Sequence, residues 1–269
     1  MLSEIPVTLG LVVVALVYLR GRQRLQNALP SVLPGWRLAA FMGGLLSVWA
    51  AAGSPLAVMD HQLLTAHMAQ HLLLMTVAAP LILLGAPVIT LLHGLPQRFV
   101  PGMLKRLLRS LTVHGIGHIA THPVFCWLAS TITVIAWHVP GLFALGMRSA
   151  GWHAIEHVSF LAAGLLFWWP VVQPWPSVEN WPRWSIPLYL FLATLPCDAL
   201  SAFLTFCNRV VYPHYLSAHG LFDSSPLGDQ ECAGGLMWVW VTFAYLVPAI
   251  VVTIRILSPR GRASRVEVI

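Results

Sequence analysis

The chain has 269 residues, 58% of them hydrophobic and only 9% charged, with a mean hydropathy of +0.76. A soluble domain carries about 25% charged residues, so this composition excludes an ordinary soluble fold and points to the membrane. The net charge of +6 does not indicate nucleic acid, because no Lys/Arg-rich run is interleaved with aromatics and basic residues collect in the cytoplasmic loops of membrane proteins.

Apolar runs of about 20 residues, long enough to cross a bilayer as helices, lie near 5–20, 38–58, 66–92, 122–146, 152–172, 185–207 and 232–257. They predict an all-α, polytopic membrane helix bundle of about seven transmembrane helices, forming a single integral-membrane domain. The first run follows the acidic MLSEIP and precedes Arg20, Arg22 and Arg24. A cleavable signal peptide has the reverse order, so the first helix is expected to be retained with the N-terminus outside. In that orientation every Lys and Arg except Arg148 and Arg209 falls on the inner side, a strong positive-inside bias. Seven spans then place the C-terminus in the cytoplasm.

The third run opens with HMAQHLLLM (67–75), which sets His67 and His71 one turn apart at its outer mouth. It also carries Pro80 and Pro87, which predict a bend or an early end. The fourth run brings His138 to its outer end, roughly 22 Å from Pro123 at 1.5 Å per residue. The fifth starts outside with GWHAIEH, giving His153 and His157 with Glu156 between them. Asp198 lies past the middle of the sixth, and DQECAG (229–234) opens the seventh. Five helices thus deliver metal-competent groups to one shallow layer at the outer face.

Two histidines at i and i+4 share a helix face, so their rings can converge on one ion. His67, His71, His138, His153 and His157 are the candidate ligands. Imidazole suits copper, zinc, iron and nickel, and thioethers such as Met68 and Met75 favour Cu(I). Asp60, Glu156, Asp198, Asp229 and Gln230 are candidate extra ligands or acceptors that orient the imidazoles. A lone HxxxH says little; two pairs and a third helix's histidine at equal depth say more, since intramembrane ionisable groups point to function. HxxEH differs from the HExxH of zinc proteases, and no nucleophile or cofactor motif is present, so a non-catalytic protein is expected. The histidines of the inner loop, His93, His114, His118 and His122, read as interfacial. Cys207 and Cys232 flank an outer loop where they could pair or bind Cu(I); Cys126 and Cys197 read as small buried apolar residues. No CxxC spacing occurs, which excludes a zinc ribbon or thioredoxin-like motif.

The segments HMAQHLLLMTVAAPLILLGAP (67–87), WHVPGLFALGM (137–147), HAIEHVSFLAAGLLFWWPVV (153–172), VYPHY (211–215) and LGDQECAGGLMW (227–238) resemble the CtaG family of membrane proteins. The resemblance runs in order over roughly residues 40–257. It implies a polytopic protein of the bacterial plasma membrane that serves assembly of caa3-type cytochrome c oxidase, with copper delivery as an associated role. It marks the five candidate ligands, Asp229 and Gln230 as motif positions. A different, single-span copper chaperone shares the CtaG name, and nothing here resembles its soluble Cys-bearing domain. The expected partners are haem–copper oxidase subunits or other copper chaperones, within the lipid bilayer. Three rival readings stay open: a membrane haem protein with bis-histidine ligation, an enzyme whose metal activates water or oxygen within the membrane, and a copper transporter.

Overall fold

The computed structural model describes residues 5–28, 34–96, 121–173, 182, 184–216 and 225–258. In chain order the helices are α1 (Ile5–Ala28), α2 (Gly35–Ala52), α3 (Leu56–Met59), α4 (Leu64–Leu72), a π-helical turn (Leu73–Ala78), α5 (Ala79–Leu84) and α6 (Pro87–Gly94). Then come α7 (Pro123–His138), α8 (Pro140–Gly146), α9 (Ala150–Val172), α10 (Ser185–Phe206), a 3₁₀ turn (Pro213–Leu216) and α11 (Pro226–Leu257). No β-strand occurs among the described residues. His114, His118 and His219 lie outside them.

Six stretches are long and apolar enough to cross a membrane, and a seventh if the bent pair α7–α8 counts as one. Large apolar side chains such as Leu16, Ile132, Val158, Phe206, Phe243 and Leu257 face outward. An apolar girdle of that extent belongs against lipid. The protein is therefore a polytopic helix bundle, as its sequence predicts.

Two of the expected spans are broken by proline. The run at 66–92 is helical only to Leu84; Ala86 sits in the left-handed region at φ 51°, and Pro87 starts α6 in a new direction. A proline clashes with an α-helical predecessor, and Ala86 relieves that clash by leaving the helical region. The run at 122–146 ends its first helix at His138, and Pro140 starts α8 after a bend of 82°. The second run also differs: α2 stops at Ala52, and a short α3 leads to Asp60.

The π-helical turn directly after His71 has a traceable cause. Pro80 lacks an N–H, so the Met75 carbonyl, its partner in the i→i+5 pattern, is left without an intrahelical donor. Trp168 of α9 fills the gap, donating Nε1–H to Met75 O at 3.0 Å. Trp240 of α11 donates to Thr76 Oγ1 at 2.8 Å, and Thr76 donates to Leu72 O at 2.7 Å. Gly164 makes room for the contact: a Cβ there would lie 2.9 Å from Met75 Cα. The helix carrying His67 and His71 is thus pinned from two sides just beyond them.

α10 and α11 form a long antiparallel pair. A Cβ at Gly234 would meet Ser201 O at 2.9 Å and Thr205 Oγ1 at 2.5 Å, so only glycine allows this approach. α1 runs from the histidine end, where Val7 lines a cavity with His61 and His153. At its other end Arg24 donates to the carbonyls of His93 and Leu95 at 3.0 and 3.2 Å.

Candidate metal centre

Four segments converge at one end of the bundle: the loop after α3, α4, α7–α8 and the start of α9. The i, i+4 spacing on α4 places both imidazoles on one face, and His67 Nε2 and His71 Nε2 are 2.7 Å apart. Glu156 Oε1 of α9 faces both, at 3.3 Å from His67 Nε2 and 3.2 Å from His71 Nε2. All three residues are buried. A second group shares His67: the ligand atoms of Asp60, His67 and His153 lie within 4.8 Å of one another. Asp60 Oδ2 is 3.4 Å from His153 Nε2, and Asp60 Oδ1 is 3.9 Å from His61 Nε2.

The arrangement has the donor set that could hold a cation. Asp60 and Glu156 are fully buried, and their four oxygens have no hydrogen-bond donor among the described residues. A buried, uncompensated carboxylate costs several kcal/mol, and a positive charge at the convergence point removes that cost. Ligand atoms about 2.0–2.1 Å from a tetrahedral ion lie about 3.3 Å apart. The two Glu156–imidazole distances already match. The 2.7 Å imidazole pair is at hydrogen-bond separation and has to open slightly to admit an ion.

The supporting shell is specific. Leu63 at the start of α4 offers no capping side chain. Asp229 from α11 caps it instead, accepting from Leu64 N at 2.6 Å, Thr65 N at 3.3 Å and Thr65 Oγ1 at 2.6 Å. The bend at Pro140 swings α8 over the cluster. Phe143 then packs its ring 5.0 Å from His67 and 4.1 Å from Tyr212. Gly146 sits so close to Glu156 that a Cβ would lie 2.6 Å from Oε2. Tyr215 donates to the Asp60 backbone carbonyl at 2.7 Å, and Tyr212 to that of His138 at 3.1 Å.

The same motif segments run through a family comparison. The family described as cytochrome c oxidase caa3 assembly factor (Caa3_CtaG) matches residues 16–258. The chain belongs to this family. It is also 26% identical over 239 residues to uncharacterized proteins of Mycobacterium bovis and Mycobacterium tuberculosis, covering 86% of this chain and 35% of each relative. A Mycobacterium leprae protein, likewise uncharacterized, is 23% identical over 256 residues, covering 93% of this chain and 38% of its own length. The chain thus spans little more than a third of the curated relatives it matches. No solved structure matches it.

In this family member the five expected ligands divide. His67, His71 and His153 enter the two convergent groups, with Asp60 and Glu156 beside them as direct members. His157 stands next to them, its ring 4.3 Å from His153 and 5.6 Å from His71. His138 is in neither group and lines an adjoining cavity with His71, Met68 and Met75. Its Nδ1–H donates to Val134 O at 2.7 Å, which leaves Nε2 as the lone-pair nitrogen; that atom is buried without a partner among the described residues.

The remaining expected positions have other tasks. Asp229 reaches backbone amides of α4 and no imidazole. Gln230 accepts from Val211 N at 2.7 Å and donates to the carbonyls of Leu204 and Arg209, tying the loop after α10 to α11. Asp198 is half-buried on α10, outside both groups. Cys126 and Cys197 are buried; Cys207 is half-buried and Cys232 exposed, with no bridge between them. Gly146, Phe143, the two tyrosines and Gln70, which donates to Leu56 O at 3.2 Å and ties α4 to α3, were not singled out by sequence reasoning. WHVPGLFALGM and VYPHY contain four of them, and Pro140 was the signal that the chain folds back there.

His61 and His214 form the open edge. Their rings are 6.2 Å apart, and His61 is 5.8 Å from His153. The His61 side chain is 54% exposed, against 13% for His153 and 1% for His67. Desolvation and the neighbouring His61 push the His214 imidazole below its ordinary value, keeping it a neutral donor. His61, His153 and His157 also line a cavity of about 330 Å³ whose other walls are apolar residues of α1, α2 and α9.

Proposed function

We propose that this assembly factor binds copper at the outer face of the membrane and passes it to the copper centres of a caa3-type oxidase, directly or through another copper chaperone. The carrying observation is the convergence of His67 Nε2, His71 Nε2 and Glu156 Oε1 within 3.3 Å in a buried pocket. Mixed imidazole and carboxylate donors suit a borderline divalent cation. The second group, Asp60–His67–His153, shares one ligand with the first, so an ion arriving at His61 exchanges partners stepwise and is never fully bare. Transfer requires such near-equivalent positions, whereas a purely structural site closes all its ligands on one.

In this reading the groups bind and position a cargo ion, in keeping with an assembly-factor family. A bis-histidine haem is the weaker reading. The cavity touching both His71 and His138 is only about 30 Å³, far below the 300 Å³ or more of pockets that hold cofactor-sized ligands, so haem ligation is confined to the cavity of about 330 Å³ lined by His61, His153 and His157.

The test is metal analysis of the purified full chain after copper loading, with a visible absorption spectrum. One copper or more per chain is expected, lost in the double variant His67→Ala/His71→Ala. Copper binding left intact by that variant sinks the site assignment, and a Soret band in the purified protein replaces copper with haem.

A further inference from the structure

We propose a second cation site, one step deeper in the bundle, that takes Cu(I) through methionine sulfur; it rests on the copper reading of the outer cluster. Met68, Met75, Met237, Cys197, His71 and His138 enclose a cavity of about 30 Å³ between α4, α7, α10 and α11. Three of the chain's eight methionines therefore line one small space, and all three are buried, at 2%, 6% and 4% exposure.

Buried methionine is usually packing material. What sets this cavity apart is His138. Its tautomer is fixed by the bond to Val134 O, and its Nε2 lone pair is buried with no donor among the described residues. An acceptor left in that state inside an apolar cavity is destabilising, and a bound cation offsets that cost. The volume corresponds to about one water molecule, which is enough for a desolvated ion.

The donor set selects the ion. Thioethers and a neutral imidazole are soft or borderline donors, which favour Cu(I) over harder cations. No carboxylate lines the cavity. A divalent ion would therefore keep two uncompensated charges in a low dielectric, and a monovalent one only one. The outer cluster is the reverse, with Asp60 and Glu156 supplying the negative charge. His71 belongs to both sites: its Nε2 faces Glu156, and its ring forms part of the deeper wall. The two sites are thus joined by one side chain and differ in hardness and charge.

The experiment uses the full chain in detergent under anaerobic conditions. Cu(I) is titrated against a chromophoric chelator, and the bound metal is examined by X-ray absorption. Co(II), read by its visible bands, reports the outer cluster separately. Wild type is expected to show a sulfur shell around Cu(I). The near-isosteric triple variant Met68→Leu/Met75→Leu/Met237→Leu is expected to lose that shell and at least tenfold in Cu(I) affinity, with Co(II) binding unchanged, which also certifies its fold. Glu156→Gln is expected to abolish Co(II) binding and leave the sulfur shell. A wild-type Cu(I) complex with only nitrogen and oxygen neighbours, or a triple variant of unchanged Cu(I) affinity, overturns the proposal. Absence of Co(II) binding in wild type counts instead against the outer cluster, because the sulfur shell is read independently.

Discussion

The two ends of this bundle solve the same problem in opposite ways. At the end away from the histidines, several polar groups are satisfied locally, while Arg37 Nε, Trp127 Nε1 and Trp169 Nε1 are buried without a partner among the described residues. Tyr18 stacks on Phe41 with ring centroids 3.8 Å apart and donates to Gly85 O at 2.8 Å. Arg24 is spent on two carbonyls, and Gly21 and Gly94 let α1 and α6 touch backbone to backbone. At the histidine end, by contrast, nine buried nitrogen and oxygen atoms of Asp60, His67, His71, His138, His153, Glu156 and His157 have no hydrogen-bond partner among the described residues. Hydrocarbon surroundings make such groups costly, and the unpartnered imidazole and carboxylate atoms are concentrated at the histidine end. The difference marks the second end as built for something that arrives.

The sharpest way to break this contrast is to remove the charge at Glu156. Glu156→Gln keeps the shape and deletes the anion that faces both imidazoles, so divalent metal affinity should fall on the order of a hundredfold or more, equivalent to about 2.7 kcal/mol. Tyr18→Phe, its counterpart at the closed end, should cost about 1 kcal/mol of stability and leave metal affinity untouched. Competition titrations on the two variants check both arms; equal metal affinity for Glu156→Gln and wild type would remove the functional meaning of the contrast.

A pair of glycines sharpens it further. A Cβ at Gly21 runs into the Thr90 carbonyl, which is backbone and cannot move aside. Gly21→Ala should therefore lower stability by about 1–3 kcal/mol, seen as an earlier unfolding midpoint in denaturing detergent, with metal binding preserved. A Cβ at Gly146 meets only the end of the Glu156 side chain. Gly146→Ala should change stability little and weaken metal binding about tenfold by displacing the carboxylate. If both substitutions act on stability alone, the Gly146 contact is mere packing.

Asp229→Asn probes a smaller, shared effect. Its carboxylate caps α4 from another helix, and loss of a cap typically costs about 1 kcal/mol. Because α4 carries His67 and His71, a few-fold loss of metal affinity should accompany it, measurable by the same titration. That role also shows what was legible in the sequence. Composition and hydropathy sufficed for the helical membrane bundle, and i, i+4 spacing sufficed for the pairing of His67 with His71, because both are local properties of one helix. Asp229 stood out as a polar residue at a span mouth, yet nothing in its neighbours says that it reaches the amides of Leu64 and Thr65 across 165 residues. Glu156 and Asp60 were legible as candidate extra ligands or acceptors, but which imidazoles each one faces was not, since that depends on how α9 and the loop after α3 sit against α4. The placement of Phe143 over His67 follows from the 82° bend at Pro140, which a single span over 122–146 could not express.

The smallest expected effect lies at the rim and concerns rate. His61 is half exposed and stands 5.8 Å from His153, yet it belongs to neither buried group. Removing it should leave the equilibrium constant nearly unchanged while slowing metal uptake a few-fold, since an incoming ion then meets Asp60 and His153 without a first ligand. His214 beside it is held neutral by burial, and the neutral imidazole is the form that binds metal. Uptake should accordingly stay flat from pH 8 to about 6.5, the unperturbed histidine value, and decline only below it. Stopped-flow loading of His61→Ala and wild type across that range separates the two contributions. A variant that loads as fast as wild type would move the point of arrival to the 330 Å³ cavity beside His153 and His157, which opens between α1, α2 and α9.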